Sequence, residues 1–409
     1  MKALLSLLLA CILILNFGCD SKGDLPFGIW RGVLKTESGV YIPFNFEVTE
    51  SYDKRFIHLI NGSERLKVDE VIINQDSVYF RFELFDSEIR AERTPSGLRG
   101  KWIKRLADSN SIMEFSAEPG TQWRFFEKLN KPKDNISGRW STLFLSEKND
   151  TTAAVGEFVQ RDGKLTGTFL TPTGDYRFLE GSINGNKIYL SAFDGSSAYL
   201  FTGELGSDTE ITSGLYYSGP TSKKRWTAKK DDKASLPDGS SITKLKSQDE
   251  PLAFSFPDLN GSKVSLADER FRDKVVIVQF LGSWCPNCMD ETNYLVSFYD
   301  KFNDKGVEII GLAYERTNNI NRSREQVSRL KERFNIQYPL LLTGYTNKEV
   351  LKSMPQLEKF KAFPTTLIID KKGLIRYIHT GFSGPGTGQH YRTFISLFEA
   401  EVTNLLKDP

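Results

Sequence analysis

The stretch INQDSVYF at residues 73–80 returns as INGNKIYL at 183–190, and GIW at 28–30 returns as GRW at 138–140. Both pairs are separated by 110 positions (183 − 73 and 138 − 28), so the two copies run in step without a gap. A self-match at one fixed offset demands two copies of a single module of about a hundred residues. The tripeptide SGL at 96–98 also comes back at 213–215, and each half closes near a tryptophan with a basic neighbour, Trp123-Arg124 and Arg225-Trp226. Within the copies, YIPFNFEV, SVYFRFELF, KLTGTFLT, NKIYLSAF and SAYLFTGEL are short aromatic and β-branched runs broken by Gly, Asn and Asp. Such runs read as strands, and no segment between them carries a helical period. Residues 25–132 and 133–230 are therefore expected to be a duplicated antiparallel all-β region.

A barrel and a sandwich both fit this pattern. The Gly-x-Trp opening with a late arginine resembles the closure of lipocalin-like barrels, while Trp30 and Trp140 serve equally as plain core anchors. Residues 231–250, DDKASLPDGSSITKLKSQDE, are polar with Gly, Pro and Ser and read as a linker. From 251 to 406 the rhythm alternates between strand and helix. KVVIVQFL and VEIIGLAY are continuous apolar runs suited to strands buried on both faces. Helices are expected from Pro286 and over 321–334, a hairpin over TTLIID and LIRYIH, and a helix at the end.

The N-terminus, MKALLSLLLACILILNFGCD, has one lysine and an apolar run from Ala3 to Leu15, a pattern of a signal peptide over 1–18. Gly18-Cys19 resembles a bacterial lipobox, which makes Cys19 an acylation site and membrane anchor; plain secretion is the alternative. Cys11 leaves with the leader, so Cys285 and Cys288 in LGSWCPNCMDE are the remaining pair. A structural zinc site needs about four ligands, and His58, His379 and His390 are not spaced as a ligand couple; no metal is expected. Haem attachment needs a histidine after the second cysteine, where Met289 stands. A disulfide across so short a loop is a poor staple, because stabilisation grows with loop length. Redox chemistry remains. The pair falls where a buried strand gives way to a helix, with Pro286 in its first turn. The helix N-terminus favours a thiolate there, so Cys285 is expected at an exposed helix tip as nucleophile and Cys288 as the resolving thiol.

Trp-Cys-x-x-Cys after a buried strand, followed later by FPTT before a hairpin, resembles the thioredoxin superfamily. VEIIGLAYE and IQYPLLL are similar to its TlpA/ResA branch of exported thiol–disulfide oxidoreductases, over about residues 250–406. The resemblance implies a C-terminal α/β thioredoxin-like domain without a cofactor. It makes Pro364 a cis-proline beside the pair, with Phe363 offering backbone to a substrate, and places Trp284 beside the nucleophile. It also implies that Glu291 is an acid near the pair that relays protons; an exposed first-turn carboxylate is the alternative. The buried acid of thioredoxin itself has no counterpart, since Gln279 and its neighbours are neutral.

Between the cysteines, Pro286 and Asn287 bring no charge to stabilise a thiolate, which points to the reducing direction. A reductase outside the cytoplasm needs recharging, so a membrane thiol-reducing partner is the implied electron donor and protein disulfides the substrates. A formal net charge of +2 with no basic, aromatic-interleaved stretch excludes a nucleic-acid footprint. Two rivals stand: a peroxiredoxin-like peroxidase, for which Gly282 occupies the place of the usual threonine, and a β-module binding protein with the redox domain as an accessory.

Overall fold

Period-two burial organises the N-terminal half. In the strand Gly28–Lys35 the inward positions are Trp30, Gly32 and Leu34, and in Gly138–Ser146 they are Trp140, Thr142 and Phe144. The repeat extends to single hydrogen bonds: Trp30 Nε1 donates to Pro26 O and Trp140 Nε1 to Ile136 O, both at 2.9 Å. The computed structural model describes residues 25–52, 54–236, 242–247 and 250–408. The expected leader and Cys19 lie outside the described residues, as does part of the expected linker. Among the described residues no helix is long and apolar enough to cross a membrane.

The two copies are barrel sheets rather than a sandwich, and only one closes. In the second, Gly138–Ser146 pairs with both Thr151–Arg161 and Ser222–Lys230, and Thr151–Arg161 continues to Lys164–Thr171, completing an up-and-down ring. In the first, Gly28–Lys35 likewise pairs with Tyr41–Ser51 and Asn110–Pro119, but the outer strands Glu64–Lys67 and Glu70–Ile73 do not join. The result is a half-barrel. Its core is completed by Phe193, Ala198, Leu200 and Tyr217 of the closed barrel, with the Phe44 and Phe193 ring centroids 4.6 Å apart. Apolar side chains left facing an unclosed seam would otherwise meet water, so the open copy leans on its twin.

The expected equivalence of Trp123-Arg124 with Arg225-Trp226 does not hold. Leu34 faces Phe115 in the first sheet, and Phe144 faces Trp226 in the second, so Phe115 is the counterpart of Trp226. Trp123 lies beyond the last strand and is 36% exposed, whereas Arg124 is buried and Arg225 is exposed. The second copy has drifted in loop length, since SGL recurs at an offset of 117 (213 − 96) rather than 110.

The C-terminal domain is thioredoxin-like. Its five-stranded sheet runs Leu340–Thr346, Val307–Glu315, Val275–Leu281, Thr365–Ile369, Ile375–Thr380, with the first three parallel and the last two antiparallel to their neighbours. Every residue of the central strand Val275–Leu281 is buried. Helices Pro286–Phe302, Ile320–Phe334 and Gln389–Lys407 contribute Leu295, Phe298, Leu330 and Phe398 to one of the two cores flanking this sheet. The central strand therefore points its C-terminal end at the cysteine motif, where the chain turns from strand to helix.

Candidate active site

Gly282, Ser283 and Trp284 turn the chain out of the central strand, and Cys285 caps the helix that begins at Pro286. Its sulfur accepts from the Cys288 backbone N–H at 3.3 Å, one of the donors that a helix start leaves without an internal partner. Both thiols are free. Cys288 is fully buried, and burial, followed by the neighbouring Cys285, pushes its thiol well above the usual range. Cys285 is only 6% exposed, so the expected exposed helix tip is corrected: the tip is covered.

The Phe363–Pro364 peptide is cis, and Phe363 O lies 3.7 Å from Cys285 Sγ. Trp284 is held beside Cys285 by its Nε1 bond to Tyr314 O at 3.0 Å. Its ring meets Phe363 edge-on at 5.6 Å and lies under the Arg316 guanidinium at 4.8 Å. Glu291 is 1% exposed, not a solvated first-turn carboxylate. Gln279 Nε2 donates to it at 2.8 Å and Thr366 Oγ1 at 2.9 Å. Burial outweighs both bonds and raises its pKa to about 7. A carboxyl that changes charge near neutrality thus lies under the pair, close enough to act on the Cys288 thiol electrostatically.

Other contributors escaped the sequence reading. Glu315, at the end of the adjoining strand, accepts from both Ser283 N and Ser283 Oγ at 2.8 Å and fixes the turn before the motif; burial raises its pKa. The run YER at 314–316 places it after a buried strand, the one local signal that could have found it. The rest come from the β region and carry no local signal. Ser196 Oγ donates to Trp284 O at 3.3 Å, Arg177 Nη1 to Pro286 O at 3.0 Å, and Asn287 Nδ2 to Asp175 O at 3.2 Å. Lys104 Nζ donates to Ser196 O and, at 3.1 Å, to Ser196 Oγ. Burial, then the nearby Arg316, lowers the Lys104 pKa to about 7, partly offset by Asp194 and Cys285.

Residues 234–393 match the family model described as Redoxin. The thiol-disulfide oxidoreductase ResA of Geobacillus kaustophilus (strain HTA426) is 30% identical over 128 residues, 31% of this chain and 66% of that protein. ResA of Bacillus subtilis (strain 168) is 28% identical over 128 residues, 31% of this chain and 64% of that protein. The chain thus spans just under two thirds of the length of these curated relatives. The thioredoxin domain of a thiol-disulfide oxidoreductase from Bacteroides vulgatus aligns at 27% identity over 38% of this chain and 99% of that one, with a TM-score of 0.29, too low to carry any inference. The family match leaves the half-barrel and the closed barrel outside it.

Proposed function

We propose that this chain, whose C-terminal part is a Redoxin domain, is an exported thiol–disulfide oxidoreductase that reduces disulfides of protein clients through Cys285 and Cys288. The observation that carries the reading is the Cys285 sulfur at a helix N-cap, receiving Cys288 N–H at 3.3 Å and facing Phe363 O at 3.7 Å. A thiolate there attacks one sulfur of a client disulfide; the S–S bond breaks, a Cys285–client disulfide forms, and the client's other sulfur leaves as thiolate. Cys288 then passes its proton to Glu291 and attacks Cys285, releasing the second client thiolate. Two electrons have moved to the client, whose two thiolates take one proton back from Glu291 and one from solvent, and Cys285–Cys288 is oxidised. A membrane thiol-reducing partner returns the two electrons.

Pro364, Phe363 and Trp284 frame the sulfur, Glu291 is the proton acceptor for Cys288, and Pro286 and Asn287, being uncharged, favour the reducing direction. Lipid at Cys19 would hold the chain on the outer side of a bacterial membrane, in the periplasm. The test is Cys288→Ala in the full chain: mixed disulfides with client proteins accumulate on Cys285 and disappear with dithiothreitol. Their absence, with Cys285 still alkylable, would reject disulfide exchange with proteins.

A further inference from the structure

The two residues between the cysteines are gripped by another domain. Arg177 of the closed barrel donates to Pro286 O, and Asp175 O receives the Asn287 side chain. Arg177 also binds Glu64 of the half-barrel and Asp290 of the cysteine-bearing helix, each at 2.6 Å. One buried guanidinium thus joins all three parts of the molecule, and Glu64 and Asp290, outweighing its burial, raise its pKa. The Asp175 carboxylate accepts from Gly384 N at 2.6 Å and from Arg177 N at 2.5 Å, fastening the same loop to the redox domain.

The fit leaves no room for a side chain. A Cβ on Gly386 would lie 2.9 Å from the Arg177 carbonyl carbon, and one on Gly381 2.6 Å from Gly174 N. A cleft of about 810 Å³ opens beside the residues that flank the sulfur, lined by Trp284, Phe363, Ala362 and Lys361, with Thr173 from the barrel as part of its wall.

We propose that the 173–177 loop of the closed barrel is a working part of the dithiol site: Arg177 and Asp175 are positioning residues for the Pro286-Asn287 dipeptide, and Thr173 helps restrict Cys285 to narrow, extended disulfide-bearing segments. The reason is geometric. The grip ends on the dipeptide that spaces the two sulfurs, and Cys285 is only 6% exposed, so a folded client surface cannot reach it while the loop is seated. The β region then selects clients by excluding bulky ones, and loosening the grip changes both access and the balance between dithiol and disulfide. This rests on the thiol–disulfide reading of the site.

The test uses the reduced full chain, native and with Gly386→Ala or Arg177→Lys. Gly386→Ala wedges the loop away while removing no charge, at a position whose backbone is not left-handed. Arg177→Lys keeps a cation between Glu64 and Asp290 but loses the guanidinium fork. Labelling of Cys285 is followed by mass spectrometry with iodoacetamide and with a maleimide on a polyethylene glycol chain, and the dithiol is equilibrated against glutathione. In the native chain the bulky reagent should lag the small one by about tenfold more than on a cysteine peptide, as protection by a seated segment requires. In either folded variant the lag should shrink towards the peptide's, and the glutathione equilibrium should move by about threefold or more. No size discrimination in the native chain, or an unchanged ratio and equilibrium in both folded variants, overturns the proposal. Failure of both reagents on the native chain, with labelling only after denaturation, instead sinks the underlying reading of a reactive dithiol.

Discussion

The redox domain and the β region are both held by buried polar contacts, but over different distances along the chain. Around the cysteines the decisive bonds join Cys285 to Cys288, three residues on, and Ser283 to Glu315 on the neighbouring strand. In the β region the fully buried Arg124 reaches Asn45 Oδ1 at 3.2 Å, Ile60 O at 2.5 Å and Ser191 O at 2.9 Å, with Glu180 at 3.6 Å. Those partners belong to both copies of the repeat. Chemistry that sits on a short segment can be removed atom by atom, whereas a cation shared between two sheets is part of what keeps them together. The largest expected effect follows from the first half of this contrast. Cys285→Ser, an almost isosteric change, should abolish reduction of insulin disulfides down to the uncatalysed rate while leaving the thermal midpoint nearly where it was. Retained turnover, or a strongly lowered midpoint, would break the separation of chemistry from scaffold.

The second half predicts the opposite phenotype. Burial lowers the Arg124 pKa to about 10, with Glu180 partly compensating, so the group remains a cation near neutrality and holds its acceptors. Arg124→Met should destabilise the full chain to denaturant by about 3–5 kcal/mol, as expected when one partner of a buried charged network is lost. Trp226→Ala, which empties a fully buried site in the closed barrel, should cost a similar 3–5 kcal/mol. A loss below about 1 kcal/mol for either would show that the two sheets do not depend on these anchors.

The same difference in range explains what could be read beforehand. Cys285, Cys288 and Pro364 stand in short motifs whose neighbours in sequence are their neighbours in space, and the strand rhythm around them was enough for a thioredoxin-like domain. The β region announced its repeat and its strands through period-two alternation. Whether each copy would close was not legible, because closure depends on the pairing of Lys164–Thr171 with Leu179–Asn184, whose counterpart in the half-barrel, Lys54–Asn61 with Glu70–Ile73, does not form. Arg177, Asp175, Ser196 and Lys104 were silent for a stronger reason. They reach the dithiol from about 90 to 180 positions away in sequence, and only the assembled barrels place them there.

Glu291 belongs to both sides of this contrast, since its position was legible and its burial was not. Glu291→Gln should slow resolution of a Cys285 mixed disulfide by roughly 10²-fold, the usual scale of a lost general base, with the first attack little changed; stopped-flow on a preformed mixed disulfide separates the steps. The stability consequence has a definite sign. The folded pKa of about 7 lies above the ordinary 4.5, so the folded state holds the proton more tightly. The stability this contributes is complete below about pH 4.5 and is lost as pH rises through about 7. Asp290, raised by burial to about 7, acts in the same direction. The urea midpoint should therefore fall from pH 5 to pH 8 in the native chain, and fall less in Glu291→Gln. An equal fall in both would remove Glu291 from the buried, titrating role.

The smallest expected effect sharpens the assignment of the repeat itself. If Trp123 were the counterpart of Trp226, both would be core anchors and their loss would be comparable. The strand register instead gives that place to Phe115 and leaves Trp123 outside the sheet. What holds Trp123 is the Arg31 guanidinium 4.5 Å from its ring centre, and Arg31 in turn donates to Arg124 O at 2.8 Å. A half-exposed cation–π contact of this kind contributes about 0.5–1 kcal/mol, so Trp123→Ala should shift the denaturant midpoint by no more than that, several-fold less than Trp226→Ala. A loss as large as that of Trp226 would mean that Trp123 clamps the Arg124 network through Arg31, and that the segment after the last strand is part of the seam between the two copies.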